Sequence, residues 1–231
     1  MDFYNQLLAQ TLSGGGGGGG DKYAAFKALV GDSLTEVTAE MLDGITVIRI
    51  NSFSNCKSLL SVTIPNSVRS IGNGAFNSCT SLSSIPIPNS VRSIGNSAFY
   101  NCTSLTSVTI PYGVIEMGFN VFSNCTSLTS VTIPYSVRSI NSSLFSSCTS
   151  LSSITIPHTV SSISYSVFSG CTSLTSVTVE SSSPPSLGTD VFNNTNQSLV
   201  IYVPSGSVEN YKAARGWSTY ADRIQAIPSG N

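Results

Sequence analysis

The side chains in this sequence with the widest chemical range are six cysteines, at positions 56, 79, 102, 125, 148 and 171. A thiolate ligates soft metals, attacks electrophiles and exchanges disulfides. Each of those tasks gathers a few residues in space and leaves their separation along the chain free. Here every cysteine follows the last by 23 residues, a constraint that no catalytic or metal centre imposes. The chain has no C-x-x-C pair, and His158 is its only histidine, so the Cys/His sets of zinc sites are missing. No metal and no cofactor are expected. Stacked cysteines come within range of a disulfide ladder. Free thiols serving as small apolar core residues suit the pattern better, because each stands three places before a leucine of the same register.

His158 is also the only base open to a Ser/His/Asp arrangement. Its counterparts one period apart are Asn66, Asn89, Tyr112 and Tyr135, so the position drifts freely and reads as surface. Glu116 is the only acid between residues 44 and 179, which removes the paired carboxylates of glycosidase chemistry. The glycine run from Gly14 to Gly20 lacks the Lys-Ser/Thr and strand-to-helix setting of a phosphate loop. The chain therefore reads as a non-enzyme. Charged residues make up 9% of it and the net charge is −1, which gives no general attraction for nucleic acid or an anionic membrane.

The elements that place these residues repeat with the same period. Leu59, Leu82, Leu105, Leu128, Leu151 and Leu174 form one apolar column, and Phe53, Phe76, Phe99, Phe122, Phe145 and Phe168 form another. Between them, L-x-x-[VI]-x-I alternates β-branched residues with Ser and Thr, and Pro65, Pro88, Pro111, Pro134 and Pro157 stop each run. That is a short strand. A second extended piece runs from Val68 to Ile71 and its counterparts, with Gly72, Gly95 and Gly118 marking bends. No stretch of the repeat holds a helical period. One such turn buries too little to fold alone, so the turns must stack, about 4.8 Å apart. The expected fold is mainly β: a solenoid of about six coils with small α/β caps at both ends.

The motif C-x-x-L-x-x-[VI]-x-I-P-x-x-V-x-x-I-x-x-x-[AVL]-F, running from about residue 44 to 179, resembles the BspA-like, or Treponema-type, class of bacterial leucine-rich repeats. The segment from Leu199 to Ile227 is similar to the C-terminal cap of that family. The resemblance implies adhesion and protein binding without a shared active site. It carries no catalytic residue onto this chain.

A ligand is therefore sought among the solvent positions where the repeats differ. The residue after each strand-ending proline gives Tyr112, Tyr135 and His158 in three successive coils, an aromatic strip suited to a sugar ring or a protein loop. Phe119 and Tyr165 share another phase and make a second aromatic edge. Arg69, Arg92 and Arg138 share a column interrupted by Ile115, which suits acidic sugars or carboxylates and equally serves to keep a Ser-rich surface soluble. The outward strand positions, Ser61/Thr63 and their counterparts, form a separate Ser/Thr face interrupted by Pro86. The expected partner is a protein or carbohydrate on a cell surface, and the alternative is an inert spacer or assembly subunit.

The ends divide into an anchor helix over 1–13, an oligoglycine linker over 14–20, an N-terminal cap with a half repeat over 21–55 and a C-terminal cap over 180–231, around repeats spanning 56–179. Thr38 is expected to cap a turn reaching Leu42, and Ser207 a helix reaching Ala214. The opening lacks the basic start of a secretory signal, and no apolar run reaches membrane-spanning length. A helix followed by oligoglycine resembles virion-associated proteins of bacteriophages and prophages, which implies an assembly partner for residues 1–13; without a signal peptide the expected location is virion-associated or cytoplasmic unless the chain is exported by another route.

Overall fold

Residues 34–228 are described by a computed structural model. The expectations for residues 1–13 and for the glycine run lie outside them. The chain winds into a β-solenoid of about eight turns, more than the six that the cysteines mark. Two parallel ladders run up the stack. The first joins Glu36–Val37 to Ser61–Val62, Ser107–Thr109 to Ser130–Thr132, and Ser153–Ile156 to Ser176–Val179, Val200–Val203 and Ile224–Ala226. The second joins Val47–Ile48, Ser70–Ile71, Ser93–Ile94 and Glu116–Met117, then Ser139–Ile140, Ser162–Ile163 and Ser186–Leu187. The coil at Ser84–Ile87 contributes no strand to the first ladder. Pro86 stands there where its neighbours have Thr63 and Thr109, and proline has no N–H to give.

Stacking continues past the motif at both ends. Glu36 pairs with Ser61 although no cysteine or proline announces that coil. Beyond Cys171 the ladder steps from Ser162 to Ser186 and from Ser176 to Val200, 24 residues instead of 23, so the Pro184–Pro185 turn absorbs one inserted residue. The register then returns to 23 between Ile201 and Ile224.

The core follows from the columns. Phe53, Phe76, Phe99, Phe122, Phe145, Phe168 and Phe192 stack with ring centroids 5.2 to 5.8 Å apart and planes within 11°. The Phe192 ring ends the column, meeting Tyr220 edge-on at 5.2 Å and Trp217 at 6.5 Å. The Trp217 indole is fully buried and donates to the Pro185 carbonyl at 2.7 Å. A short helix, Val208–Ala213, adds buried Tyr211, whose hydroxyl donates to the Ser181 carbonyl at 2.8 Å. Ser207 stands at the start of that helix but its side chain makes no capping bond. Thr38 does accept from the Met41 N–H, at 3.4 Å.

Each phenylalanine is flanked by two left-handed residues, for example Ser97 (φ 54°) and Asn101 (φ 58°) around Phe99. Asn and Gly fill many of these positions because their cost there is lowest. Gly72 and Gly95 have a different reason. Neither has a positive φ, and a Cβ on Gly72 would come within 2.7 Å of the Ile50 nitrogen in the coil below. They permit close coil-to-coil approach and are not bends.

Candidate binding groove

Along first-ladder strands such as Ser153–Ile156, alternation buries Val and Ile and turns Ser and Thr outward. The proline after each strand ends the ladder and lifts the next residue to a rim. The hydroxyl face and the aromatic strip, two surfaces when read along the sequence, line one groove of about 1340 Å³. Its floor holds Ser107, Thr109, Ser130, Thr132, Ser153 and Thr155, and its edge holds Asn66, Asn89, Tyr112 and Tyr135.

Tyr112 is 72% exposed and Tyr135 46%. His158 stands beside the Tyr135 ring, with centroids 5.1 Å apart and planes at 41°. Tyr135 and His158 meet at a carboxylate. Glu180 accepts from the Tyr135 hydroxyl at 3.4 Å and from the His158 backbone N–H at 3.4 Å, with His158 Nδ1 3.8 Å from the same carboxylate. The Glu180 charge, and then its hydrogen bond, hold the Tyr135 hydroxyl above the usual phenol range. Sequence reasoning passed over Glu180, which lies one residue beyond the last full strand. Its signal was available: Glu180 occupies the phase held by Pro65, Pro88, Pro111, Pro134 and Pro157.

The arginine column serves the turns below that rim. Arg69 Nη1 donates to the Asn66 carbonyl at 2.6 Å, Arg92 Nη1 to Asn89 at 2.8 Å and Arg138 Nη1 to Tyr135 at 3.1 Å. Each guanidinium thus folds back onto the residue that carries the rim side chain. In the coil where Ile115 interrupts the column the turn residue is Gly113, and a Cβ there would collide with the Asn89 carbonyl and the Arg92 guanidinium.

Phe119 and Tyr165 are exposed, at 49% and 58%, but do not line this groove. The coil carrying Ser142 lies between them. Ile50 shares their phase, and a smaller hollow of about 600 Å³ on the second ladder holds Ile50, Ile115 and Glu116.

All six cysteines are buried, and none forms a disulfide. Burial first, then neighbouring thiols, raise Cys102 and Cys148, and burial pushes Cys125 and Cys171 up to about 12. These four are protonated at neutral pH and poorly suited to nucleophilic work. Among the described residues no group of three His, Cys, Asp or Glu side chains is placed to hold a metal ion, and no helix is long and apolar enough to cross a membrane. The groove offers hydroxyls, ring faces and one carboxylate, which is equipment for recognition.

Known proteins give the same architecture. A leucine-rich repeat protein of Treponema pallidum superposes with a TM-score of 0.67 at 29% identity, over 86% of this chain and 89% of that one. A leucine-rich repeat protein of Bacteroides ovatus gives 0.55 at 27% identity, over 80% of this chain and 58% of the other. A leucine-rich cell surface protein of Faecalibacterium prausnitzii gives 0.50 at 24%, over 86% and 64%, and supports the fold alone. This chain spans less than two thirds of the latter two. No curated protein matches it. The family model for the BspA type leucine-rich repeat region matches residues 24–148 and 93–213, in six copies. The chain belongs to the BspA-type leucine-rich repeat family.

Proposed function

We propose that this protein is a non-enzymatic recognition module that binds a protein or carbohydrate at a cell surface through the first-ladder groove. The observation that carries this reading is the joining of a hydroxyl floor, running from Ser107 to Thr155, to a rim of exposed rings, Tyr112 and Tyr135 with His158 beside them. Rings spaced by one coil present flat, rigid, partly apolar faces at little entropic cost, and the hydroxyls beneath supply hydrogen bonds of either polarity.

The test is a glycan array and a panel of whole bacteria probed with the wild type and with a variant carrying Tyr112→Ser, Tyr135→Ser and His158→Ser. Binding present in the first and lost in the second supports the groove. Binding that survives in the variant moves the site elsewhere. Absence of binding by either protein favours an inert spacer.

A further inference from the structure

Among the described residues that line the groove, Glu180 alone is charged. Its carboxylate is poorly served. A carboxylate accepts about four hydrogen bonds, whereas Glu180 receives two long ones, from the Tyr135 hydroxyl and the His158 N–H, each 3.4 Å, with the largely exposed His158 imidazole 3.8 Å away and beyond hydrogen-bond distance. The side chain keeps 33% of its surface exposed. The half-exposed Tyr135 ring stands next to it, fixed there by its hydroxyl.

A ring face adjoining an under-satisfied carboxylate is the complement of a planar cation. A guanidinium can lie on the ring while its fork of N–H donors takes both carboxylate oxygens. A primary ammonium is a more strongly hydrated point charge and uses that pairing less fully. The chain's own arginines do not line the groove, and those of the rim column are committed to the Asn66, Asn89 and Tyr135 carbonyls.

We propose that the partner is a polypeptide that places an arginine side chain at the Glu180 end of the groove, with its guanidinium forked onto Glu180 and resting on Tyr135. This rests on the groove being the binding face. The raised proton affinity of the Tyr135 hydroxyl agrees with it, since it reports the negative field of Glu180 at the rim. The hydroxyl floor then hydrogen-bonds the backbone of the same partner segment.

The test uses an acetylated, amidated hexapeptide of alternating arginine and serine, titrated calorimetrically into the full chain at near-physiological salt. Its lysine and glutamate counterparts and a neutral hexasaccharide run alongside. Glu180→Gln should weaken arginine-peptide binding about tenfold or more, the scale of a lost charge-assisted pair. Glu116→Gln, in the second-ladder hollow, should leave it unchanged, and the lysine peptide should bind more weakly than the arginine peptide. Equal binding of the arginine peptide by wild type and Glu180→Gln overturns the proposal. So does failure of that peptide to bind at all. Hexasaccharide or glutamate-peptide binding that is lost with the Tyr112, Tyr135 and His158 substitutions, while the arginine peptide stays inert, overturns the arginine proposal and leaves the groove reading standing. Circular dichroism of Glu180→Gln confirms that the comparison is between folded proteins.

Discussion

The Cys102 thiol donates to the backbone carbonyl of Phe76, 3.2 Å away in the preceding coil. The same carbonyl also accepts the N–H of Cys79 in its own coil, at 3.2 Å. The arrangement repeats from Cys79 to Phe53 through Cys171 to Phe145. One carbonyl thus ties its own turn shut and hooks the next coil onto it, which gives a physical reason for the cysteine column from Cys79 to Cys171.

The energetics of that pair can be separated by substitution. Because the Phe76 carbonyl keeps its bond from Cys79, losing the thiol donor alone is cheap, while losing its volume is not. Cys102→Ala should cost about 1–2 kcal/mol, and Cys102→Val, which fills the space without donating, less than about 1 kcal/mol. Urea unfolding midpoints read both. A Val variant as unstable as the Ala variant would show that the hydrogen bond dominates.

The same burial makes the protein sensitive to alkali. Cys125 and Cys171 are pushed from 9.0 up to about 12. Above pH 9 the unfolded thiols lose protons while the folded ones keep theirs, so stability falls as pH rises through that window. The slope is about 1.4 kcal/mol per pH unit for each such thiol. Urea midpoints should drop steadily from pH 9 upward, and less steeply when Cys125 and Cys171 are both replaced by Val. A flat profile would mean that the thiols are not buried as described.

The C-terminal cap can be read with one fluorophore, since Trp217 is the only tryptophan. Its burial on Phe192 and its bond to Pro185 predict blue-shifted emission in the native state. Trp217→Ala removes a large core side chain and should cost about 3–5 kcal/mol. Amide exchange should then rise first in Ile224–Ala226 and Val200–Val203, with the Phe99 coil still protected, as expected when neighbouring coils stabilise one another. Uniform loss of protection would indicate a single cooperative unit.

Glu180→Gln removes the charge that raises the Tyr135 hydroxyl, so that phenol should ionise at lower pH in the variant than in the wild type. An NMR titration of the Tyr135 ring measures this. Unchanged ionisation would place Glu180 away from the rim.

The sequence revealed the solenoid because every core side chain repeats at one phase, and phase survives without knowledge of the coil's shape. Phe53 to Phe168 could be read as a column for that reason, and so could the exposure of Tyr112 and Tyr135. Periodicity says nothing about departures from it. Glu36–Val37 stacks without the motif's cysteine or proline, and Phe192 continues the column only after one inserted residue. Gly72 looks like a turn residue in sequence, yet its smallness answers a neighbouring coil. The lateral arrangement was the larger gap: the Ser/Thr face and the Tyr112–Tyr135 rim line one groove, and Glu180 meets the backbone N–H of His158, 22 residues away, and the hydroxyl of Tyr135, 45 residues away.

The most direct test of the groove is oxidative footprinting of the full chain with and without any ligand found on the array or among the peptides. The account predicts that ligand protects the Tyr112 and Tyr135 rings while Phe119 and Tyr165, equally open but outside the groove, react as before. Protection of Phe119 and Tyr165 with Tyr112 and Tyr135 unchanged would contradict it and move the binding face out of the groove.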